Sequence, residues 1–382
     1  MSENDNSSHL GLGLIFDPFY SNETYSSLQS ENSSSTVQPM QCYATVTYGG
    51  RLRTLRLIVE VLLIPLIAVF GLAGNTVSIA VLRRMRSTTS FLLQALAVAD
   101  SLFLLTCLEF QFLSTLHFYL PSFRAAFPRF AYLQLVVWPL AGMAQMSAVW
   151  LVVLVTGERY LAVCHPLRVK RSATMTKTRV AVGIVFLGAV LFNIPTAFDL
   201  ETVIVKCDDL LTEELQVSAS QLAHNHPYQL VYKTILCFVF RTALPLSMVI
   251  YFNVRLLRAV RASANISKHG SHKMTSALST SSSSPGNELN RVIISVVAVF
   301  VFCETPDVVY RIMRTVKFYV PSFPLDWLQM LSVATMTNFL LTVNSSVNVI
   351  IYVATGTKFR RVMMRQLCSS SQDGDGRRPV PV

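Results

Sequence analysis

The chain has 382 residues, of which 52% are hydrophobic and only 14% are charged. An ordinary soluble domain carries about 25% charged residues, so the composition excludes a typical water-soluble protein and indicates one that sits in a lipid bilayer. The formal net charge is +11, but the basic residues are not interleaved with aromatic residues on a soluble face, which argues against a nucleic-acid partner. The sequence also lacks the histidine, cysteine or paired-acid spacing of a catalytic or metal centre, so we expect neither enzyme activity nor a cofactor.

Residues 1–54 are polar and serine-rich, and we predict that they form an extracellular tail. Asn6, Asn22 and Asn32 each begin an Asn-x-Ser/Thr sequence and are predicted glycosylation sites. Acidic rather than basic residues precede the short apolar run at Leu10–Phe16. We therefore expect no cleaved signal peptide, and the first apolar span is predicted to direct its own insertion.

Seven apolar runs follow, each near or above the roughly 20 residues that cross a bilayer as a helix. Because an unpaired backbone group in hydrocarbon costs several kcal/mol, such runs must be helical. The fold class predicted is an all-α membrane protein, a seven-transmembrane helix bundle over residues 55–355. A count of six remains open if the fourth run lies at the membrane surface. The runs are about Leu57–Val81, Phe91–Leu116, Leu133–Val163, Val180–Phe198, Leu230–Leu256, Val292–Ile312 and Trp327–Val353.

Basic residues cluster between alternate spans and after the last one, which by the positive-inside rule places those segments in the cytoplasm. The N-terminus is then extracellular and the C-terminus cytoplasmic, in a multi-pass protein of the plasma membrane. One conflict exists, because Arg51, Arg53 and Arg56 precede the first span on its outer side. Residues 259–288 form a serine-rich cytoplasmic third loop that we expect to be disordered.

Residues 356–382 are predicted to be a short amphipathic eighth helix on the membrane followed by a cytoplasmic tail. The segment Thr357–Cys368 is basic on one side, and Cys368 is a palmitoylation candidate.

Several polar motifs interrupt the apolar runs at fixed places. Glu158-Arg159-Tyr160 ends the third run, and a buried arginine there is costly enough to indicate a function. Asn75 lies in the first run and Asp100 in the second, while Asn348-Val-Ile-Ile-Tyr352 ends the seventh. Pro245 and Pro306 interrupt the fifth and sixth runs, and Pro195 lies near the end of the fourth.

These motifs resemble those of the rhodopsin-like (class A) G protein-coupled receptors. In that family the Glu-Arg-Tyr triplet, with Asn348 and Tyr352, is the switch that meets a heterotrimeric G protein, and Pro245 and Pro306 are helix hinges. Two positions depart from the pattern: Glu304 replaces the usual sixth-helix tryptophan, and Val349 replaces the seventh-helix proline. A seven-helix transporter or channel is the alternative class, but no internal repeat or continuous polar path supports it.

The resemblance also implies a polar centre that holds water and a sodium ion around Asp100. Its expected members are Asn75, Asp100, Asn344, Ser345 and Asn348. The alternative is a neutral aspartic acid that only joins the helices by hydrogen bonds.

Other strings resemble the invertebrate FMRFamide-type neuropeptide receptors in particular. They are Met85-Arg-Ser-Thr-Thr-Ser, Val155-Thr-Gly, Cys164-His-Pro-Leu, Asn193-Ile-Pro-Thr-Ala-Phe and Cys303-Glu-Thr-Pro. The resemblance implies a short, C-terminally amidated extracellular peptide as ligand, with another peptide or a lipid as the alternative. It also implies arrestin and receptor kinase as cytoplasmic partners.

Acidic residues gather at or near the outer side, and a peptide arginine could pair with one of them. The predicted ligand-pocket residues are Glu109, Trp138, Gln145, Glu304, Asp307, Tyr310 and Trp327. The family usually joins a third-helix cysteine to one in the second outer loop, but Gln134 stands at the helix position. We therefore expect Cys207 to pair with Cys42 of the tail; the alternative is that both remain unpaired or join other molecules.

Overall fold

A computed structural model describes residues 50–165, 174–207, 212–270, 285–320 and 322–373. The predictions for Asn6, Asn22, Asn32 and Cys42 fall outside these residues. The side chains of Cys207, Trp327 and Cys368 are also outside the described part of the structure. The Cys42–Cys207 disulfide, the three glycosylation sites and the palmitoylation site therefore stay predictions.

The structure is a bundle of helices that confirms the predicted seven-span architecture. Six helices are long and apolar enough to cross a membrane, and a bent pair of helices makes the seventh span. We call the side on which the first span begins the N-side and the opposite side the C-side. In chain order the spans are Gly50–Arg83, Thr88–Tyr119, Phe130–Cys164, Met175–Phe198, Tyr228–Ala259, Val292–Tyr319, and Gln329–Ser346 with Asn348–Thr355.

The fourth apolar run forms a full span and not a short surface helix. It is 24 residues long, enough to cross a hydrocarbon layer of about 30 Å. Ala189 and Asn193 are buried, whereas Ile184, Leu187 and Leu191 are exposed. One narrow face of the helix thus packs on the bundle. The rest of its surface is apolar and faces outward, as expected for a helix in contact with lipid. The fourth run thus has the length and the apolar surface of a span, which favours seven spans over six.

The third span is 35 residues long and lies at the centre of the bundle. On the C-side its buried side chains, among them Leu151 and Val155, pack with Leu96 of the second span and Phe300 of the sixth. Large apolar side chains elsewhere point outward, including Leu66 and Phe70 of the first span. The apolar exterior and the polar residues held inside are the arrangement expected of a protein in lipid.

Several spans are not regular α-helices at their N-side ends. Their hydrogen-bond pattern widens to π-helix over Leu57–Leu63, Leu108–Leu113, Tyr228–Leu236 and Phe238–Ala243. Each π turn takes more residues than an α turn and therefore rotates the side chains that follow it about the helix axis. This local winding was not predicted from the sequence, and it changes which residues face the bundle.

A β-hairpin lies on the N-side between the fourth and fifth spans, which the all-α prediction did not include. Strand β1, Leu200–Cys207, pairs antiparallel with β2, Thr212–Ala219, in a register that sets Leu200 opposite Ala219. The hairpin is also joined to the short helix Pro121–Ala126, because Arg124 Nε lies 3.5 Å from Glu214 Oε1.

The helical segments extend into regions that the sequence assigned to tail and loop. The first helix begins at Gly50, within the predicted 1–54 tail. The fifth helix runs to Gly270 and the sixth begins at Pro285, so both enter the predicted 259–288 loop, of which 271–284 lie outside the described residues.

The predicted eighth helix is present at Thr357–Asp373. Phe359 is buried against the bundle, with its ring 5.5 Å from the ring of Tyr352, while Arg360 and Arg361 are exposed. This segregation of the aromatic and basic side chains is the amphipathic pattern that the sequence predicted.

Close packing between the first and seventh spans depends on two glycines. A Cβ atom at Gly71 would lie 2.7 Å from the Cβ of Ser346, and one at Gly74 would lie 3.1 Å from the Cβ of Val349. Both distances are far below normal carbon contacts of about 3.5–4.0 Å. The seventh span bends by 43° between these contacts, at Val347.

A buried ion pair reduces the charge conflict at the first span, since it accounts for one of the three arginines. Arg56 and Glu60 are both fully buried, with the guanidinium 3.0 Å from the Glu60 carboxylate. The hydroxyl of Thr335 in the seventh span donates to Glu60 at 2.7 Å, and Thr115 of the second span also donates to it. Arg56 is therefore neutralised inside the protein and does not count as a free positive charge on the outer side.

We expect Glu60→Leu to lower the stability of the bundle, because it leaves the buried Arg56 without the carboxylate. Breaking such a pair by removing one partner costs about 3–5 kcal/mol. The midpoint of thermal unfolding of the detergent-purified protein should fall, and Arg56→Met with Glu60→Leu should restore most of the loss. Arg51→Met, at an exposed position of the same helix, is the control and should change nothing. An unchanged unfolding midpoint in Glu60→Leu would contradict the proposed stabilising role of this ion pair.

Candidate functional site

A cavity of about 170 Å³ opens among the spans on the N-side. Trp138 and Gln145 of the third span lie on one wall, and Tyr310 of the sixth lies on another. Asn193 contributes from the fourth span and Arg241 from the fifth. Every span from the second to the seventh therefore supplies part of the lining, so that a bound molecule would contact most of the bundle.

The lining of this N-side cavity is cationic. Lys233, Arg241, Arg311 and Arg314 line it, whereas Asp307 is the one acidic side chain among the described lining residues. Asp307 is already engaged, because the Arg311 Nε donates to its carboxylate at 2.6 Å. The sign of the charge is therefore opposite to the acidic pocket that the sequence predicted.

Asp199 does not line the cavity but binds two residues that do, Lys233 and Trp138. The Asp199 carboxylate is fully buried and forms an ion pair with Lys233. Tyr228 donates its hydroxyl to the same carboxylate at 2.6 Å, and the Trp138 indole N–H donates at 3.3 Å. These bonds join the third and fifth spans at the base of the hairpin and hold Trp138 at the cavity wall.

Of the seven predicted pocket residues, four line the cavity: Trp138, Gln145, Asp307 and Tyr310. Glu304 instead faces a smaller cavity deeper in the bundle. Glu109 lines neither cavity; it is buried in the π turn at Leu108–Leu113, and neither carboxylate oxygen has a hydrogen-bond partner in the described structure. The side chain of Trp327 lies outside the described part of the chain.

The deeper cavity contains the predicted polar centre. Its volume is about 20 Å³, and its lining includes Asp100, Asn344, Ser345 and Asn348. The Asn348 amide donates to the Asp100 carboxylate at 2.7 Å. Asn75 is held nearby, since its amide donates to the Ser345 carbonyl at 3.1 Å. The structure thus brings the five predicted residues into one group that joins the first, second and seventh spans.

Gln145 lines both cavities, and it accepts a hydrogen bond of 2.7 Å from Arg241. Phe103 and Leu341 line both cavities as well, so the two spaces are adjacent and share three lining residues. The Arg241–Gln145 hydrogen bond therefore lies in the wall between the N-side cavity and the polar centre.

On the C-side, Arg159 is held by its neighbour Glu158. The Arg159 guanidinium lies 2.7 Å from the Glu158 carboxylate. Two threonines at the start of the second span complete the group, because Thr88 and Thr89 each donate to Glu158 at 2.8 Å and Arg159 also contacts Thr89. Sequence reasoning did not identify these threonines, although Ser87-Thr88-Thr89 marks the polar start of an otherwise apolar run.

Tyr160, the third residue of the triplet, packs on the fifth span. Its ring stacks on Phe252 with the ring centres 5.3 Å apart, and its hydroxyl lies 3.3 Å from Nε2 of His165. Tyr352 of the seventh span is buried, and its hydroxyl has no hydrogen-bond partner among the described groups. The two tyrosines therefore differ: one is already packed on a neighbouring span, and the other holds a buried polar group without a partner.

The predicted hinges differ in their surroundings. Pro306 lies inside the continuous helix Pro285–Tyr319, one turn below the cavity residue Tyr310. Pro245 follows directly after the π segment Phe238–Ala243. A proline removes a backbone donor and opens the helical ladder at its position, so both residues lie where a span can bend.

Comparison with known proteins agrees with this geometry. The sequence profile of a family described as 7 transmembrane receptor (rhodopsin family) matches residues 74–352. A Drosophila melanogaster protein named FMRFamide receptor is 27% identical over 320 residues, covering 79% of this chain and 52% of that protein. This chain thus spans about half of the Drosophila receptor's length.

Two further relatives have similar coverage. The FMRFamide peptide receptor frpr-18 of Caenorhabditis elegans is 25% identical over 312 residues, covering 79% of this chain and 67% of that protein. The neuromedin-U receptor 1 of Rattus norvegicus is 26% identical over 311 residues, covering 77% and 70%.

Proposed function

Because the chain belongs to the rhodopsin family of seven-transmembrane receptors, we propose that it is a G protein-coupled receptor for a short, FMRFamide-like and C-terminally amidated neuropeptide. The family is one of receptors and not of enzymes. The observation that carries the proposal is the order of three groups along the bundle: an N-side cavity, the polar centre at Asp100, and the Arg159 group on the C-side. A receptor needs an outer binding site and an inner docking site on one movable body.

We propose that the N-side is extracellular and that the protein lies in the plasma membrane. Basic side chains at the C-side ends of the spans support this orientation, including Arg83, Arg179 and Arg258. The burial of Arg56 removes one of the three outer arginines that opposed it.

The names of the relatives support a peptide as ligand. The cavity of about 170 Å³ is smaller than the roughly 300–1,000 Å³ that encloses a whole drug-sized ligand. We infer that one end of the peptide enters the cavity and that the rest lies against the hairpin. The many charged lining residues disfavour a lipid as ligand, since a lipid chain would leave them without polar partners.

In the proposed mechanism, peptide contacts at Asp307 and Tyr310 bias the sixth span about Pro306. Outward movement of its C-side end would expose Arg159, which leaves Glu158 to meet the C-terminal helix of a G protein. Arrestin and receptor kinase are further proposed partners; the serine-rich segment on which they would act lies in residues 271–284, outside the described structure.

We expect Glu158→Gln to raise ligand-independent signalling, because a neutral amide holds Arg159 less strongly than a carboxylate does. The increase should be several-fold in a second-messenger assay at matched surface expression. Arg159→Ala should instead lower signalling while the protein still reaches the surface. The exposed Glu213→Gln on the hairpin is the control. Equal basal signalling in Glu158→Gln and the unaltered receptor would contradict the proposed switch.

The peptide proposal is tested by a peptide library applied to cells that express the full chain with a promiscuous G protein. Amidated FMRFamide-like peptides, in particular N-terminal extensions of Phe-Met-Arg-Phe-amide that carry an acidic residue, should raise intracellular calcium, and Arg159→Ala should abolish the response. Ion flux through the chain expressed alone would favour a transporter or channel instead. No response to any amidated peptide would overturn the proposed ligand class.

We also propose that the polar centre binds sodium. The donor set fits a hard cation, since Asp100 supplies a carboxylate and Asn344, Ser345 and Asn348 supply neutral oxygens. A space of about 20 Å³ is enough for one water-sized occupant, which needs at least about 10–15 Å³. Ala148 lines the same space, so one wall offers no side-chain oxygen.

Sodium should raise the thermal stability of the purified receptor relative to equal concentrations of choline. Asp100→Asn should remove the difference, because it deletes the charge that attracts the cation. Identical stability of the unaltered receptor in both salts would contradict the proposed sodium site.

A further inference from the structure

We propose that the ligand carries a carboxylate and that this group binds Arg241 in the N-side cavity. The inference rests on the proposed function, since it specifies the chemistry of the ligand that the same cavity takes. It replaces the sequence expectation of an acidic pocket for a cationic ligand.

The environment of Arg241 differs from those of Arg311 and Lys233 in the same cavity lining. Arg311 pairs with Asp307, and Lys233 pairs with Asp199. Arg241 donates to the neutral amide oxygen of Gln145 at 2.7 Å, and among the described side chains no carboxylate lies within 4.0 Å of it. Glu304 faces the deeper cavity and forms no ion pair with Arg241.

Arg241 lies near the middle of the fifth span, Tyr228–Ala259, and its side chain lines the cavity. A charged side chain at the centre of a membrane helix costs about 2.5–3.5 kcal/mol or more unless it has a partner. Arg311 adds a second positive charge to the same lining, and Asp307 balances it. Arg241 has no carboxylate of its own in contact, and a ligand that enters the cavity can supply one.

A second polar group lies close to the guanidinium. Gly142 of the third span lines the cavity, and a Cβ atom at that position would lie 2.6 Å from Oδ1 of Asn193 and 3.7 Å from Nη1 of Arg241. The absence of a side chain at Gly142 therefore lets Asn193 and Arg241 both approach the third span at the cavity wall. Asn193 lies on the same side, is fully buried, and has an Oδ1 without a hydrogen-bond donor in the described structure.

Together these groups suit a peptide carboxylate. The guanidinium fork binds a carboxylate through two parallel hydrogen bonds, and the Asn193 Oδ1 can accept from an adjacent peptide N–H. The carboxylate can be a free C-terminus or the side chain of aspartate or glutamate. An amidated peptide satisfies the requirement only through an acidic side chain.

The test uses purified full-length receptor and measures thermal stabilisation by small probes matched in all but charge. N-acetylphenylalanine against N-acetylphenylalaninamide tests a terminal carboxylate. N-acetyl-Asp-Phe-amide against N-acetyl-Asn-Phe-amide tests a side-chain carboxylate. In at least one pair we expect the charged probe to reach half-maximal stabilisation at about tenfold lower concentration than its neutral partner, a difference of about 1.4 kcal/mol.

Arg241→Gln should abolish that preference, and Arg241→Lys should keep part of it, because lysine retains the charge but not the fork. Lys317→Gln is the matched control: it removes a positive charge on the N-side from a residue that does not line the cavity and whose amino group bonds to the Phe323 carbonyl. The preference should be unchanged there.

Equal action of both members in both pairs, or a preference that persists in Arg241→Gln, would overturn the inference. If Arg241→Gln fails to fold, the unaltered receptor and Arg241→Lys still decide, since absence of any charge preference in the unaltered receptor overturns it alone. The readout does not depend on signalling. A receptor that binds the charged probes but answers no peptide would therefore contradict the peptide proposal and not the carboxylate site.

Discussion

Charged side chains inside a lipid-embedded bundle depend on partners within the protein, because lipid offers none, and the pairs that form organise the structure. Glu60 neutralises Arg56 between the first, second and seventh spans. The same constraint ties the second span to the seventh through Asp100 and Asn348. Because water cannot compete for these groups, each one fixes which helices are neighbours as well as how strongly they associate.

The sequence was most informative where the bilayer imposes the rule. Span number followed from the length of the apolar runs, and the cost of a charge at a helix end singled out Arg159. The membership of the polar centre around Asp100 came from the family resemblance, and the structure brings those residues together. The family resemblance supplied the remaining roles.

What sequence reasoning missed depends on local winding and on tertiary pairing. An α-helical period would not place Glu109 correctly, because the π turn at Leu108–Leu113 rotates the chain. A tally of acidic residues near the outer side could not show that Asp199 and Asp307 are each engaged by a cation of their own. The net charge of the N-side cavity depends on which charged side chains pair with each other. Composition alone does not determine these pairs.

The bend of the seventh span at Val347 has a mechanical consequence. No proline ring forces it; Val349 stands where the family has proline, and Gly74 on the neighbouring span makes room for that valine. The angle is thus maintained by side-chain packing between two helices, and straightening the span would break no covalent restraint. The resistance of this bend to straightening therefore depends on the first span as much as on the seventh. A substitution in the first span, which does not itself bend, can change it.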